Sequence, residues 1–283
     1  MPPPLPLSPF AGATAAGEGH WRPVGRVVNG TPTVYETYLE LPDESGAVAG
    51  IAWMDTRLLR ATLYSGSISP GGLSWKFTAP VQPAAAKTLV AAFNGGFKFP
   101  ASEGGYLSEG KPVFPLRVGA ASLVIFKNGV ITVAQWGRDV TMGPTVAAVR
   151  QNLDLLVDHG QPVAGLSRYD TSVWGSTLGG LPNVWRSGIG VTANGALVFV
   201  AGPSLTIVDL ANLLVRAGAI RAMELDINPY WPTFATYSPS IPTGIAAPAN
   251  GTNLLAGMNG SPARFFEPSW ARDFIAMSAR GTR

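Results

Sequence analysis

From Val34 onward the chain alternates short apolar runs with turns rich in glycine, proline and asparagine. Residues 34–41, Val-Tyr-Glu-Thr-Tyr-Leu-Glu-Leu, are dense in β-branched and aromatic side chains and stop at Pro42-Asp43, the pattern of a strand. Residues 51–54 and 58–64 continue in that manner before a glycine-rich loop over 65–72. Two hairpins are predicted, 122–127 with 130–134 around Asn128-Gly129, and 188–192 with 196–200 around Asn194-Gly195. Asn-Gly favours a type I′ turn, so both are expected to close that way. Ile207, Leu210, Ala211 and Leu214 fall at i, i+3, i+4, i+7, which predicts a helix over 206–217. Thr206 and Asp209 have capping-box spacing, and Gly218 is placed to end the helix. A second helix is expected over 145–152.

Residues 1–20 show no such period. Their Pro, Ala, Gly and small polar composition predicts a disordered tail, followed by one domain over 21–283. The opening residues lack a charged segment followed by an apolar stretch and are not expected to be a signal peptide. No apolar run reaches the roughly 18 residues of a membrane-spanning helix. Apolar residues make up 46% of the chain, enough for a packed core, while 34 glycines and 25 prolines favour short strands over long helices. The expected class is α+β: a β-rich mixed-sheet domain with a few helices packed on it.

Charge and composition then exclude several chemistries. A net charge of +3 with scattered basic residues gives no case for nucleic acid. Cysteine is absent, which removes disulfides, thiol nucleophiles and Cys-ligated metals. Histidine is limited to His20 and His159, both in turn-like settings, so a Ser-His-Asp triad or a two-His metal site is not expected. Acid–base chemistry must rest on carboxylates. No cofactor and no transition metal are expected, and oxygen donors would suit calcium or magnesium better than zinc.

Read as a strand, residues 219–228 put Met223, Leu225 and Ile227 on one face and Ala222, Glu224, Asp226 and Asn228 on the other. Glu224 and Asp226 would then lie about 6–7 Å apart at Cα, close enough for one to raise the pKa of the other. That arrangement serves an acid–base pair; a solvated strand face or an oxygen-rich cation site is the bland alternative. Asn94-Gly95-Gly96-Phe97 ends a strand-like run with an amide and two glycines, either an ordinary turn or a place where a ligand meets backbone. Arg186 precedes Ser187 and Gly188, small residues that leave room for its planar fork to hold a phosphate or carboxylate; a structural ion pair fits equally well.

In this order and spacing, Asn94 to Phe97, Arg186 with Ile189 and Gly190, and the 206–217 helix leading to Leu225-Asp226 resemble the phosphodiester glycosidase family. The resemblance covers roughly residue 34 to the end. It implies a sheet-rich α/β domain that cleaves sugar-1-phosphate diesters, with Asp226, on the family motif, as the catalytic carboxylate; Glu224 is its candidate partner from sharing the strand face. Asn94, Gly95 and Arg186 are the candidate substrate-binding positions on the shared motifs. The family's Leu-Asp-Gly-Gly-Gly-Ser motif departs after Asp226 into Ile227-Asn228-Pro229-Tyr230-Trp231. Asn228, Tyr230 and Trp231 are therefore added, the aromatics as surfaces for a sugar ring. The expected partner is a carbohydrate or glycosyl-phosphate substrate, and the expected location is secreted or in the cell envelope. A non-catalytic carbohydrate-binding protein, or an envelope polysaccharide assembly factor, is the alternative on the same fold.

Overall fold

The computed structural model describes residues 1–10, 15–42, 46–72, 74–170, 173–241, 243–268 and 270–281. Residues 11–14 of the expected tail, and Asp43 after the expected first strand, lie outside them. The domain is the β-rich α+β type the composition predicts, built on three sheets. The largest has eight strands, in the order Arg22–Val24, Val34–Glu40, Val48–Met54, Leu197–Leu205, Val184–Thr192, Ala219–Ile227, Val157–Asp158 and Gln161–Pro162. The second runs Lys111–Phe114, Tyr106–Ser108, Val146–Gln151, Ala121–Phe126, Ile131–Gln135. The third runs Gly251–Asn253, Phe234–Tyr237, Leu89–Asn94, Phe274–Ala279, Leu59–Tyr64. Neighbouring strands in all three pair antiparallel.

One apolar core lies between the sheets, with Ile189, Met223 and Leu225 meeting Leu123, Ile125, Phe93 and Ile275. The other face of the eight-stranded sheet carries the Ile207–Arg216 helix, which buries Leu210, Ala211 and Leu214 against Val198, Val200 and Ala222. Burying each leucine contributes about 1.5–3 kcal/mol. The capping box forms as expected, Thr206 Oγ1 accepting from Asp209 N–H and Asp209 accepting from Thr206 N–H. Gly218 then leaves the helix at φ +91°. Gly188 and Gly190 set the floor for this packing. A Cβ on Gly188 would stand 3.0 Å from Leu214 Cδ1, and one on Gly190 2.6 Å from Ala219 Cβ.

Two local expectations are corrected. Residues 145–152 form a strand, Val146–Gln151, because pairing on both sides with Ala121–Phe126 and Tyr106–Ser108 outweighs a weak helical pattern. Both Asn-Gly hairpins form, but neither turn is type I′. Gly129 and Gly195 take positive φ while Asn128 and Asn194 do not, so each loop is a type I turn followed by one left-handed glycine. The proline-rich opening runs against the domain: Leu7 N–H donates to Gly19 O, Trp21 donates to Leu5 O, and Arg216 donates to Ser8 O and lies over the Phe10 ring.

Candidate active site

Strand ends from two sheets meet at one edge of the domain. Asn94 closes the Leu89–Asn94 strand and is buried. Its amide donates to Ser187 Oγ at 3.0 Å and accepts from Thr233 N–H at 3.0 Å, tying the third sheet to the first. The following glycines are required by close approach of the protein itself. A Cβ on Gly95 would lie 2.0 Å from Asp273 Oδ2, and one on Gly96 2.7 Å from Asn152 Oδ1. Two arginines clamp this turn: Arg272 donates to Gly96 O at 2.7 Å, and Arg150 donates to Phe97 O. Arg150 is held in turn by Asp273, its Nε 2.8 Å from Oδ2.

The two predicted carboxylates are close in sequence but do not share a face. Gly188 pairs with Glu224 and Arg186 with Ile227, so Leu225 and Asp226 both stand opposite Ser187. This is a β-bulge, which re-aims the side chains beyond it. Ser187 Oγ seals it, donating to Asp226 O at 3.0 Å and accepting from Asp226 N–H at 3.2 Å. Ile227 is thereby turned to the helix side of the sheet, away from Met223 and Leu225. The expected alternation over 219–228 is correct up to Leu225 and fails there, because an alternation count cannot register an extra residue.

Each carboxylate has its own arginine. Glu224 accepts from Arg186 Nη1 at 2.6 Å, and both side chains are almost wholly buried. The rest of the Arg186 guanidinium is taken by main-chain carbonyls, Nε by Leu205 O at 3.0 Å and the Nη atoms by Trp174 O and Pro182 O at 3.4 Å. The room expected beside Gly188 is filled by Leu210 and Leu214 of the helix. Asp226 pairs instead with Arg272. Burial pushes both carboxyls up to about 7, against the pull of Arg186 on Glu224 and of Arg272 on Asp226. The like charge that adds to the shift of Asp226 is Asp273, which replaces the expected mutual effect of Glu224 and Asp226.

Asp226, Arg272 and Trp231 form a wall common to two cavities. On one side is a narrow pit lined by Asn94, Gly95, Gly96 and Trp270; on the other, a cleft of about 420 Å³ lined by Lys98, Glu103, Ser176 and Asn228. Trp231 lies under two cations, 4.6 Å from the Arg272 guanidinium and 5.7 Å from Lys98 Nζ. Arg272 is 5% exposed, and its Nε is buried without a hydrogen-bond partner. The structure thus brings Asn94, Gly95, Asp226, Asn228 and Trp231 together. Arg186 and Glu224 are absent from the lining of either cavity, and so is Tyr230, which is 60% exposed. Arg272, Asp273, Arg150 and Lys98 were not picked out from the sequence. A cation and an acid side by side at 272–273, just ahead of an apolar strand, was the one available signal.

The departure from the family's glycine run also has a local account. Asn228 adopts φ +82°, a conformation glycine takes freely and asparagine tolerates. Its Oδ1 accepts from Tyr230 N–H at 3.0 Å, holding the loop that presents Trp231.

Residues 87–226 match the phosphodiester glycosidase family. The resemblance read from Asn94, Arg186 and Asp226 is borne out. The matched segment therefore ends on Asp226 itself, and Arg272 and Asp273 reach the site from beyond it. The fold is similar to that of the zebrafish N-acetylglucosamine-1-phosphodiester alpha-N-acetylglucosaminidase catalytic domain, auto-inhibited by pro-peptide. That match has 14% identity and a TM-score of 0.51, covering 92% of this chain and 88% of the other. A hypothetical protein from Synechocystis is 13% identical, with a TM-score of 0.48 over 92% of this chain and 64% of the other. Identities this low speak for the fold alone. No curated protein matches the chain.

Proposed function

We propose that this protein is a hydrolase of glycosyl-phosphate linkages, with Asp226 as its catalytic carboxylate. The observation that carries the reading is the Asp226–Arg272 pair: a carboxyl raised to about 7 beside a buried arginine that keeps one N–H unpartnered, on the wall of a cleft. The family match supports the class of linkage. In this reading Arg272, with Lys98 also near the Trp231 ring, takes the anion-binding role that the sequence pointed to in Arg186. Trp231 offers a ring for stacking a sugar.

Phosphate leaves readily, so the demand falls on activating water and on stabilising an oxocarbenium-like transition state. Water oxygen bonds to the anomeric carbon as the bond from that carbon to the phosphate oxygen breaks. The electron pair departs with the phosphate, and ionised Asp226 takes a proton from the water. The products are the free sugar and a phosphomonoester. Glu224, paired with Arg186, keeps the sheet and helix in register and touches no substrate in this scheme. A secreted or envelope location belongs to the same proposal; no described helix is long and apolar enough to cross a membrane.

The test is turnover of a sugar-1-phosphodiester, such as an alkyl ester of a glycosyl 1-phosphate. Asp226→Asn is expected to lower kcat at least about a hundredfold while thermal unfolding stays close to that of the wild type. Near wild-type turnover by that variant would remove the catalytic assignment and leave the glycan-binding alternative.

A further inference from the structure

The two Asn-Gly hairpin tips play no part in the reaction, yet both lie along one groove at the far end of the strands that build the site. The Phe274–Ala279 strand joins the two places, with Arg272 and Asp273 just before it and Arg280 just after. Six strand residues span about 20 Å. The groove has a volume of about 830 Å³ and is lined by Arg57, Arg60 and Arg280 together with Asn29, Asn128 and Asn194. Among the described residues no acidic and no aromatic side chain lines it.

We infer that this groove binds a segment of an anionic polysaccharide, at a site separate from the Asp226 cleft. Arg280 is fixed in place, donating to Asn128 O at 2.7 Å and Thr56 O at 3.3 Å. Arg57 has a side chain 61% exposed and shares the buried Asp55 carboxylate at 3.4 Å, the one acidic group beneath the groove that it contacts. Arg60 is exposed, and its side chain makes no hydrogen bond or ion pair among the described residues. The amide oxygens of Asn128 and Asn194 are used inside their own turns, accepting from Val130 N–H and from Thr192 Oγ1. Their NH2 groups have no protein partner among the described residues. Beside the apolar Leu58, Val130, Ile131 and Val191, the groove offers donors and positive charge, which match sulfate, carboxylate and hydroxyl oxygens. Single-stranded nucleic acid fits less well, because it binds by stacking bases on aromatic rings and none is present.

This inference stands apart from the glycosidase reading, and its test uses the whole chain. A fluorescent heparin octasaccharide is titrated by anisotropy at low and high salt, beside a neutral dextran oligomer and an oligothymidylate. The octasaccharide is expected to bind, and to lose about tenfold in affinity as added salt screens the groove. Arg57→Ala/Arg60→Ala and Arg60→Glu are expected to weaken it at least about tenfold, and Arg60→Lys to retain most of it. Asp226→Asn is expected to bind as the wild type does. Unchanged affinity in folded Arg57→Ala/Arg60→Ala, or binding of dextran or oligothymidylate as tight as that of the octasaccharide, would overturn the assignment.

Discussion

Arg186–Glu224 and Arg272–Asp226 are the same chemical pair placed on the two sides of one bulge. Burial raises both carboxyls to about 7, and both arginines are more than nine-tenths buried. The surroundings differ. Arg186 spends its guanidinium on Glu224 and three main-chain carbonyls beneath the helix. Arg272 keeps its Nε unpartnered and stands with Asp226 on the wall of a cleft. A perturbed carboxyl therefore does not mark the reacting group by itself. Each pair keeps one buried polar atom unpartnered, Glu224 Oε2 or Arg272 Nε. It is access to the cleft that separates them, and that follows from which way the bulge turns the carboxylate.

The largest effect expected on this comparison is one of stability. Glu224→Leu leaves Arg186 buried without a countercharge and should cost about 3–5 kcal/mol in urea unfolding. A loss below about 1 kcal/mol would show that the sealed pair is not structural. Asp226→Asn should act the other way, on rate more than on fold, with the hundredfold loss given above. Its pH dependence sharpens the point. If ionised Asp226 is the base, kcat/KM falls as pH drops below about 7, and the Asn variant loses that limb. A wild-type profile flat from pH 5 to 8 would contradict this assignment.

Arg272→Lys keeps the charge but not the fork, and should weaken kcat/KM on a phosphodiester sugar by about tenfold. An unchanged value would remove Arg272 from anion binding. The smallest effect belongs to Asn228→Gly. Because Asn228 already sits at φ +82°, restoring the family's glycine should change stability by no more than about 0.5 kcal/mol in thermal unfolding. A loss above about 1 kcal/mol would mean that the Asn228 side chain, through Tyr230 N–H, holds the loop.

Local rules carried the sequence reading as far as they reach. The capped helix and the two hairpins depend on residues a few positions apart, and each was legible from side-chain type and spacing. Residues 145–152 misled because two neighbouring strands, brought up from elsewhere in the chain, decide their state. Asn94 and Asp226 were legible through motif resemblance, and the cavity linings join them. Arg272, Arg150 and Asp273 were not, since nothing within a few positions of them says what they will meet. The bulge escaped for a similar reason: one unpaired residue leaves the apolar pattern almost intact while moving a carboxylate from one arginine to another.

The position of Arg272 in the chain also sets an order of events during synthesis. Asp226 emerges 46 residues ahead of the arginine that pairs with it, and the Phe274–Ala279 strand that anchors that arginine follows later still. That strand must insert between Leu59–Tyr64 and Leu89–Asn94, both made long before. A ribosome-bound chain that has produced residues 87–226 thus holds a carboxylate without its countercharge and a cleft without one wall. On the proposed function, a nascent or truncated chain that lacks the closing strand also lacks the Arg272 side of the site and is expected to be inactive until its fold is finished.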